Sequence, residues 1–119
     1  LYREGILFQL SRDHSWVQEQ IDAGLLSKDE AESHPLKNII TRSMGHEPEV
    51  QVDLQKEEFQ AGDRYLLCSD GLSNMVNDET VQKVLSEMDT EAAVQDLMKR
   101  ALDAGGLDNT TILVIEFQA

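Results

Sequence analysis

Two aspartates stand at places where a carboxylate can do chemistry. Asp70 follows the run Tyr65-Leu66-Leu67-Cys68 by one residue, Ser69, and precedes Gly71, while Asp108 precedes Asn109 and the run from Thr110 to Phe117. Each run is apolar and bounded by turn residues, the pattern of a strand in a protein core. One acid therefore sits where a strand leaves the core and the other where a strand enters it. If the two strands are antiparallel neighbours, residues 38 positions apart meet at one edge of a sheet. Converging carboxylates need a shared proton or a hard cation. Mg²⁺ and Mn²⁺ suit such oxygen-rich sites and keep several waters. The competing reading is plainer, because Asp-Gly and Asp-Asn are also ordinary turn dipeptides. Spacing alone leaves both readings open.

Other reactive side chains are weaker candidates. His14, His34 and His46 lie at neither helical nor hairpin spacing from one another, so solvent or capping contacts are expected of them. Ser69 lacks the Gly-x-Ser-x-Gly surroundings of a nucleophile elbow and reads as a buried hydrogen-bonding residue. Arg12 and Arg42 can steer an anionic substrate or simply pair with surface acids. Cys68 is the only cysteine, which excludes an internal disulfide and makes a reducing cytoplasm the simplest compartment. Its place in an apolar run marks it as a buried small hydrophobe.

The elements that must position these residues follow from periodicity. Tyr2-Arg3-Glu4-Gly5-Ile6 reads as the second half of a hairpin whose first strand is missing. Gly5–Leu10 alternates around Ile6, Phe8 and Leu10 as a half-buried strand. Asp13 is placed to cap a helix carrying Trp16, Val17 and Ile21, which Gly24 ends. Ser27 and Glu30 form a capping box for a second short helix that runs to about Ser33 and closes at His34-Pro35. Asn38–Thr41 is a candidate short strand. Glu49–Gln55 alternates with Val50, Val52 and Leu54 on one face, predicting another half-buried strand. After the Tyr65–Cys68 strand, Asn77 caps a helix to about Met88 that buries Val81, Val84, Leu85 and Met88. Thr90 caps the next, with Val94, Leu97, Met98, Ala101 and Leu102 on one stripe, and Gly105-Gly106 stops it.

Composition narrows the function classes. The chain has 119 residues, enough for one domain or part of one, and 40% apolar content suits a globular fold. Its net charge of −13 argues against nucleic acid or an anionic membrane as a partner, since both are polyanions. No apolar stretch approaches the roughly 20 residues that span a bilayer.

Several segments, taken in order, carry a resemblance. Gly62-Asp63-Arg64-Tyr65-Leu66-Leu67-Cys68-Ser69-Asp70-Gly71-Leu72 followed by Gly106-Leu107-Asp108-Asn109-Thr110-Thr111 closely resembles the C-terminal half of metal-dependent serine/threonine protein phosphatases, the type 2C or PPM family. Leu10–Ser15 resembles the segment ahead of the family's flap, and His34–Gly45 the segment after it. The resemblance covers the whole chain and is closest to compact bacterial members. It implies an α+β fold, part of an α-β-β-α sandwich of antiparallel sheets flanked by helices, with a flap-like subdomain at about 14–45. It also implies a dinuclear Mn²⁺ or Mg²⁺ centre whose activated water attacks phosphoserine or phosphothreonine, with Asp70 and Asp108 as metal ligands. The family's Asp-Gly loop, phosphate-binding arginine and nearby histidine come from an N-terminal half with no match here. The chain alone is therefore expected to be inactive. It is also expected to pair with that missing half or to self-associate, because half a sandwich leaves sheet edges and an apolar face uncovered.

Two other classes compete. A truncated or pseudo-phosphatase domain would act as a non-catalytic interaction module. An aspartyl-phosphate enzyme would carry a second acid two residues beyond the first, where this chain has Leu72.

Overall fold

A computed structural model describes all 119 residues, which form two compact units. The first comprises Leu1–Leu10 with Glu57–Ala119, and the second Ser11–Lys56.

The first unit is a four-stranded antiparallel sheet with helices packed on one face. Its strands are β1 (Tyr2–Arg3), β2 (Ile6–Leu7), β3 (Arg64–Cys68) and β4 (Ile112–Glu116), in the order β2-β1-β3-β4. The second unit holds α1 (Trp16–Asp22) and α2 (Lys28–Glu32); α3 (Asp70–Ser73), α4 (Asp78–Glu87) and α5 (Thr90–Asp103) belong to the first. This is the α+β arrangement expected from the sequence.

Tyr2–Leu7 is a complete hairpin, not half of one. Glu4 and Gly5 both take positive φ, 50° and 86°, as a two-residue turn between right-twisted strands requires. The alternation expected of Gly5–Leu10 is also inverted. Leu7 packs toward the core with Tyr2, while Ile6 and Phe8 are exposed. Both sheet faces are apolar, so hydropathy did not reveal which one the helices cover.

The helices start and stop by local chemistry. Asn77 caps α4 through the Thr80 amide, and the Arg64 guanidinium binds the carbonyls of Leu85 and Met88 at the other end. Asp89, one residue before the expected Thr90, caps α5 through the Ala92 amide. At the C-terminus of α5 Gly105 donates to Leu102 and Gly106 to Ala101, a Schellman closure. The buried stripe of α5 is Ala93, Leu97 and Ala101; Leu102 faces solvent. Small alanines let this helix lie close to its neighbours, which turns the stripe away from Val94 and Leu102. Leu72, Leu85 and Leu97 are fully buried, and Leu66, Ile112 and Val114 of the sheet close the core from below.

The Tyr65–Cys68 run is not buried on both faces. Leu66 meets the helices, whereas Leu67 is 53% exposed and Cys68 is exposed. Leu113 and Ile115 of β4, cross-strand partners of Leu67 and Tyr65, share that open face. Phe117 stacks on Phe59 at 4.5 Å and meets the edge of Tyr65 at 5.4 Å.

In the second unit Ser15, not Asp13, caps α1 through the Gln18 amide. Gly24 then leaves the helix at φ 73°. The Ser27–Glu30 capping box forms as expected, and Ser33 is the C-cap of α2. Asn38–Thr41 contributes a single antiparallel bridge, Ser15 to Ile40. The strand expected over Glu49–Gln55 is absent: the segment has no regular structure, and Val52 and Leu54 are 70% and 93% exposed. Alternation supplies a strand's side chains but not its hydrogen-bonding neighbour. No helix is long and apolar enough to cross a membrane.

Candidate metal centre

The strand pair β3–β4 sets the site. It runs antiparallel from Arg64 opposite Glu116 to Cys68 opposite Ile112. Asp70 is the first residue of α3, just past the end of β3, and Asp108 lies in the turn that leads into β4. The topology thus carries both acids to the same end of the pair.

Several contacts hold that end together. The Ser69 amide donates to the Thr111 carbonyl at 3.0 Å, and the Thr111 amide donates to Ser69 Oγ at 3.0 Å. Ser69 Oγ in turn donates to the Asn109 carbonyl at 3.2 Å. Gly71 is buried directly beneath. A Cβ on Gly71 would stand 2.2 Å from the Asn109 carbonyl oxygen and 2.7 Å from Thr110 Oγ1. Glycine is required here by close approach of two backbones rather than by turn conformation. Reading Asp70-Gly71 as a turn dipeptide misses this, because the obstructing atoms lie 38 positions away.

Both carboxylates are exposed, and neither forms a salt bridge. Asp108 Oδ1 accepts only its neighbour's amide, from Asn109 at 2.7 Å. Uncommitted hard oxygens at one strand-pair end fit a divalent cation. They do not complete a site, since no group of three or more acidic, His or Cys side chains is assembled to hold a metal.

The remaining candidates are engaged elsewhere. Within the second unit His14 Nε2 lies 2.7 Å from Asp53 Oδ2, and Arg42 Nη1 donates to Asp53 Oδ1 at 2.9 Å. Those two partners, His14 first, hold the Asp53 pKa below the ordinary carboxylate range. Arg12 forms an ion pair with Asp22. His34 lies 5.1 Å from Trp16, ring centre to ring centre, and accepts the Leu36 amide. Cys68 is exposed rather than buried, but desolvation of its sulfur and then the charge of Asp70 push its thiol up, which keeps it a poor nucleophile.

Sequence reasoning passed over one acid entirely. Asp63, which with Gly62 has the composition of a plain turn ahead of β3, is 1% exposed and accepts from Arg3 Nε at 2.8 Å, Arg3 Nη2 at 2.6 Å and the Gln60 amide at 2.8 Å. Its only sequence signal is an arginine in the first strand, a partner 60 residues away.

No family model matches the chain. Curated relatives do. PstP of Mycobacterium tuberculosis, a serine/threonine protein phosphatase, is 43% identical over 117 residues, 98% of this chain and 22% of PstP. Stp of Listeria monocytogenes, a serine/threonine phosphatase, is 41% identical over 117 residues, 98% of this chain and 46% of Stp. The crystal structure of PstP superposes with a TM-score of 0.94 at 40% identity, covering 99% of this chain and 50% of that one. A second PstP structure holds two manganese ions. MsPP of Mycobacterium smegmatis, a PPM Ser-Thr phosphatase, superposes at 0.86 and 36% identity, covering 97% of this chain and 50% of that one. The chain spans half or less of the length of these relatives. In sequence and backbone alike, the chain matches the C-terminal part of PPM serine/threonine phosphatases.

Proposed function

We propose that this chain supplies one wall of the metal centre of a protein phosphatase that hydrolyses phosphoserine or phosphothreonine. The observation that carries the reading is the β3–β4 pairing, which brings Asp70 and Asp108 to one end, neither of them in a salt bridge. When bound, a pair of Mn²⁺ or Mg²⁺ ions supplies an activated water and neutralises the phosphoryl charge. Asp70 and Asp108 would hold those ions, Ser69 and Gly71 fix the backbone that carries the two acids, and no side chain of this chain is assigned as a nucleophile. Residues 14–45 act as a flap that selects the peptide. A cytoplasmic setting suits the single free thiol.

The test uses a phosphothreonine peptide and Mn²⁺. In a chain of full phosphatase length, Asp70→Asn or Asp108→Asn lowers turnover by more than the roughly 10- to 100-fold that outer-shell changes cost metal sites. Removing residues 14–45 alters peptide preference and leaves Mn²⁺ affinity in place. The chain alone shows little Mn²⁺-dependent hydrolysis. Turnover near that of a complete enzyme, or none lost in the aspartate variants, refutes the assignment.

A second reading is a non-catalytic interaction module, favoured by the open apolar face of Leu67, Leu113 and Ile115. On either reading this face is covered by further chain of the same protein or by a second copy. Light scattering of the isolated chain is expected to show association at micromolar concentration; a well-ordered monomer counts against it.

A further inference from the structure

Ser69 stands at the junction of a strand and a helix, and its atoms serve both. Continuing the β3–β4 register past Cys68 and Ile112, the next rung pairs Ser69 with Thr111. A hydrogen-bonded rung of an antiparallel pair exchanges two N–H···O bonds between its backbones. Only one is made in that way, from the Ser69 amide to the Thr111 carbonyl. The return bond from the Thr111 amide goes to Ser69 Oγ at 3.0 Å instead of to the Ser69 carbonyl. That carbonyl is thereby left to accept the Leu72 amide at 3.1 Å, which starts α3. Consistently, Ser69 is the N-cap of α3 yet makes no side-chain capping bond, because its hydroxyl is committed to the strand partner.

We infer that Ser69 is a positioning residue for the cation, resting on the proposed role of Asp70 and Asp108. Its hydroxyl finishes the ladder so that its carbonyl can begin the helix. The chain can therefore turn from strand to helix within one residue, and Asp70 follows at once. Through the Asn109 carbonyl the same hydroxyl restrains the residue after Asp108. One oxygen thus links the backbone positions of both acids, although it touches neither carboxylate. Without it the Thr111 amide must reclaim the Ser69 carbonyl, which displaces α3 and Asp70, or go unpaired, which loosens the entrance of β4 and Asp108. Gly71 admits the close approach that this arrangement needs.

The test compares Ser69→Ala and Ser69→Thr in a chain of full phosphatase length, with Mn²⁺ alone as the probe. Two readouts are taken: amide hydrogen exchange at Thr111 and Leu72, and Mn²⁺-induced broadening of amides 69–72 and 108–111. Ser69→Ala is expected to speed exchange at Thr111 or Leu72 at least tenfold and to raise the Mn²⁺ midpoint about tenfold, while the amides of Leu85 and Leu97 stay protected. Ser69→Thr, which keeps the hydroxyl, restores both. Unchanged exchange and an unchanged midpoint in Ser69→Ala overturn the proposal, as does a threonine variant that behaves like alanine. Asp70→Asn separates this from the reading beneath it. If that variant broadens like the parent chain, the cation role of Asp70 falls and the positioning proposal falls with it. If exchange at Thr111 and Leu72 still responds to Ser69→Ala, the strand-to-helix junction alone stands as a structural finding.

Discussion

Two aspartates flank one strand and meet opposite fates. Asp63 precedes β3 and is buried, with both carboxylate oxygens used by Arg3 and the Gln60 amide. Asp70 follows β3 and is exposed, outside every salt bridge. The sequence context is nearly a mirror image, Gly62-Asp63 on one side and Asp70-Gly71 on the other. What separates them is the backbone opposite. At the entrance, β1 presents a guanidinium to the acid. At the exit, β4 presents its own turn and a second acid. A satisfied carboxylate stabilises a fold, whereas one held in place but left uncommitted can bind a ligand.

The sharpest way to break this contrast is to remove each acid in turn. Asp63→Ala leaves the half-buried Arg3 guanidinium with only the Glu58 carbonyl as a partner. The thermal midpoint is expected to fall on the order of 10 °C. Asp70→Ala, measured without metal, is expected to change stability by about 0.5 kcal/mol at most. Equal losses would mean that both acids are structural.

A smaller effect sharpens the same comparison through pH. The Arg3 hydrogen bonds, opposed by desolvation and helped by the Gln60 amide, hold Asp63 down from the ordinary 3.8 to about 2. A carboxyl depressed on folding contributes stability that is complete above its unfolded value. That stability is lost as pH falls through the folded one. The thermal midpoint is therefore expected to be level in this respect above about pH 4 and to decline from there toward pH 2. In Asp63→Asn that share of the decline should vanish. An identical acid profile in the variant assigns the loss to other carboxylates.

Much of this was legible in the sequence. The helices around Val81–Leu85 and Leu97–Ala101 follow from periodicity, Asn77 and Gly105-Gly106 declare ends of theirs through local chemistry, and Ser27 with Glu30 declares the start of α2. That Asp70 and Asp108 lie at the same end of the β3–β4 pair followed from two apolar runs, given antiparallel pairing. What stayed hidden depends on distant partners. Leu67 and Cys68 belong to an apolar run, but only the position of the helices decides which side of it is covered. Val50, Val52 and Leu54 alternate like a strand and have none beside them. Asp63 looks like a turn until Arg3 is found, and Gly71 looks like one until Asn109 is. The hairpin at Glu4-Gly5 was local and could have been read, since two residues willing to take positive φ are its signal.

The Arg3–Asp63 pair has a consequence for how the chain folds. It joins residues 60 apart, and the whole of Ser11–Lys56 lies between them as an insertion into the first unit. Closing a flexible loop of that length costs roughly 3–4 kcal/mol of chain entropy before any contact is gained. The helices α4 and α5 make their contacts locally and can form early, but β1 can join the sheet only after that closure. Doubling or halving the insertion would change the cost by only about 0.6 kcal/mol. The first unit can therefore accept large changes of length between Leu10 and Glu57, provided the arginine and the aspartate that fasten the two ends remain.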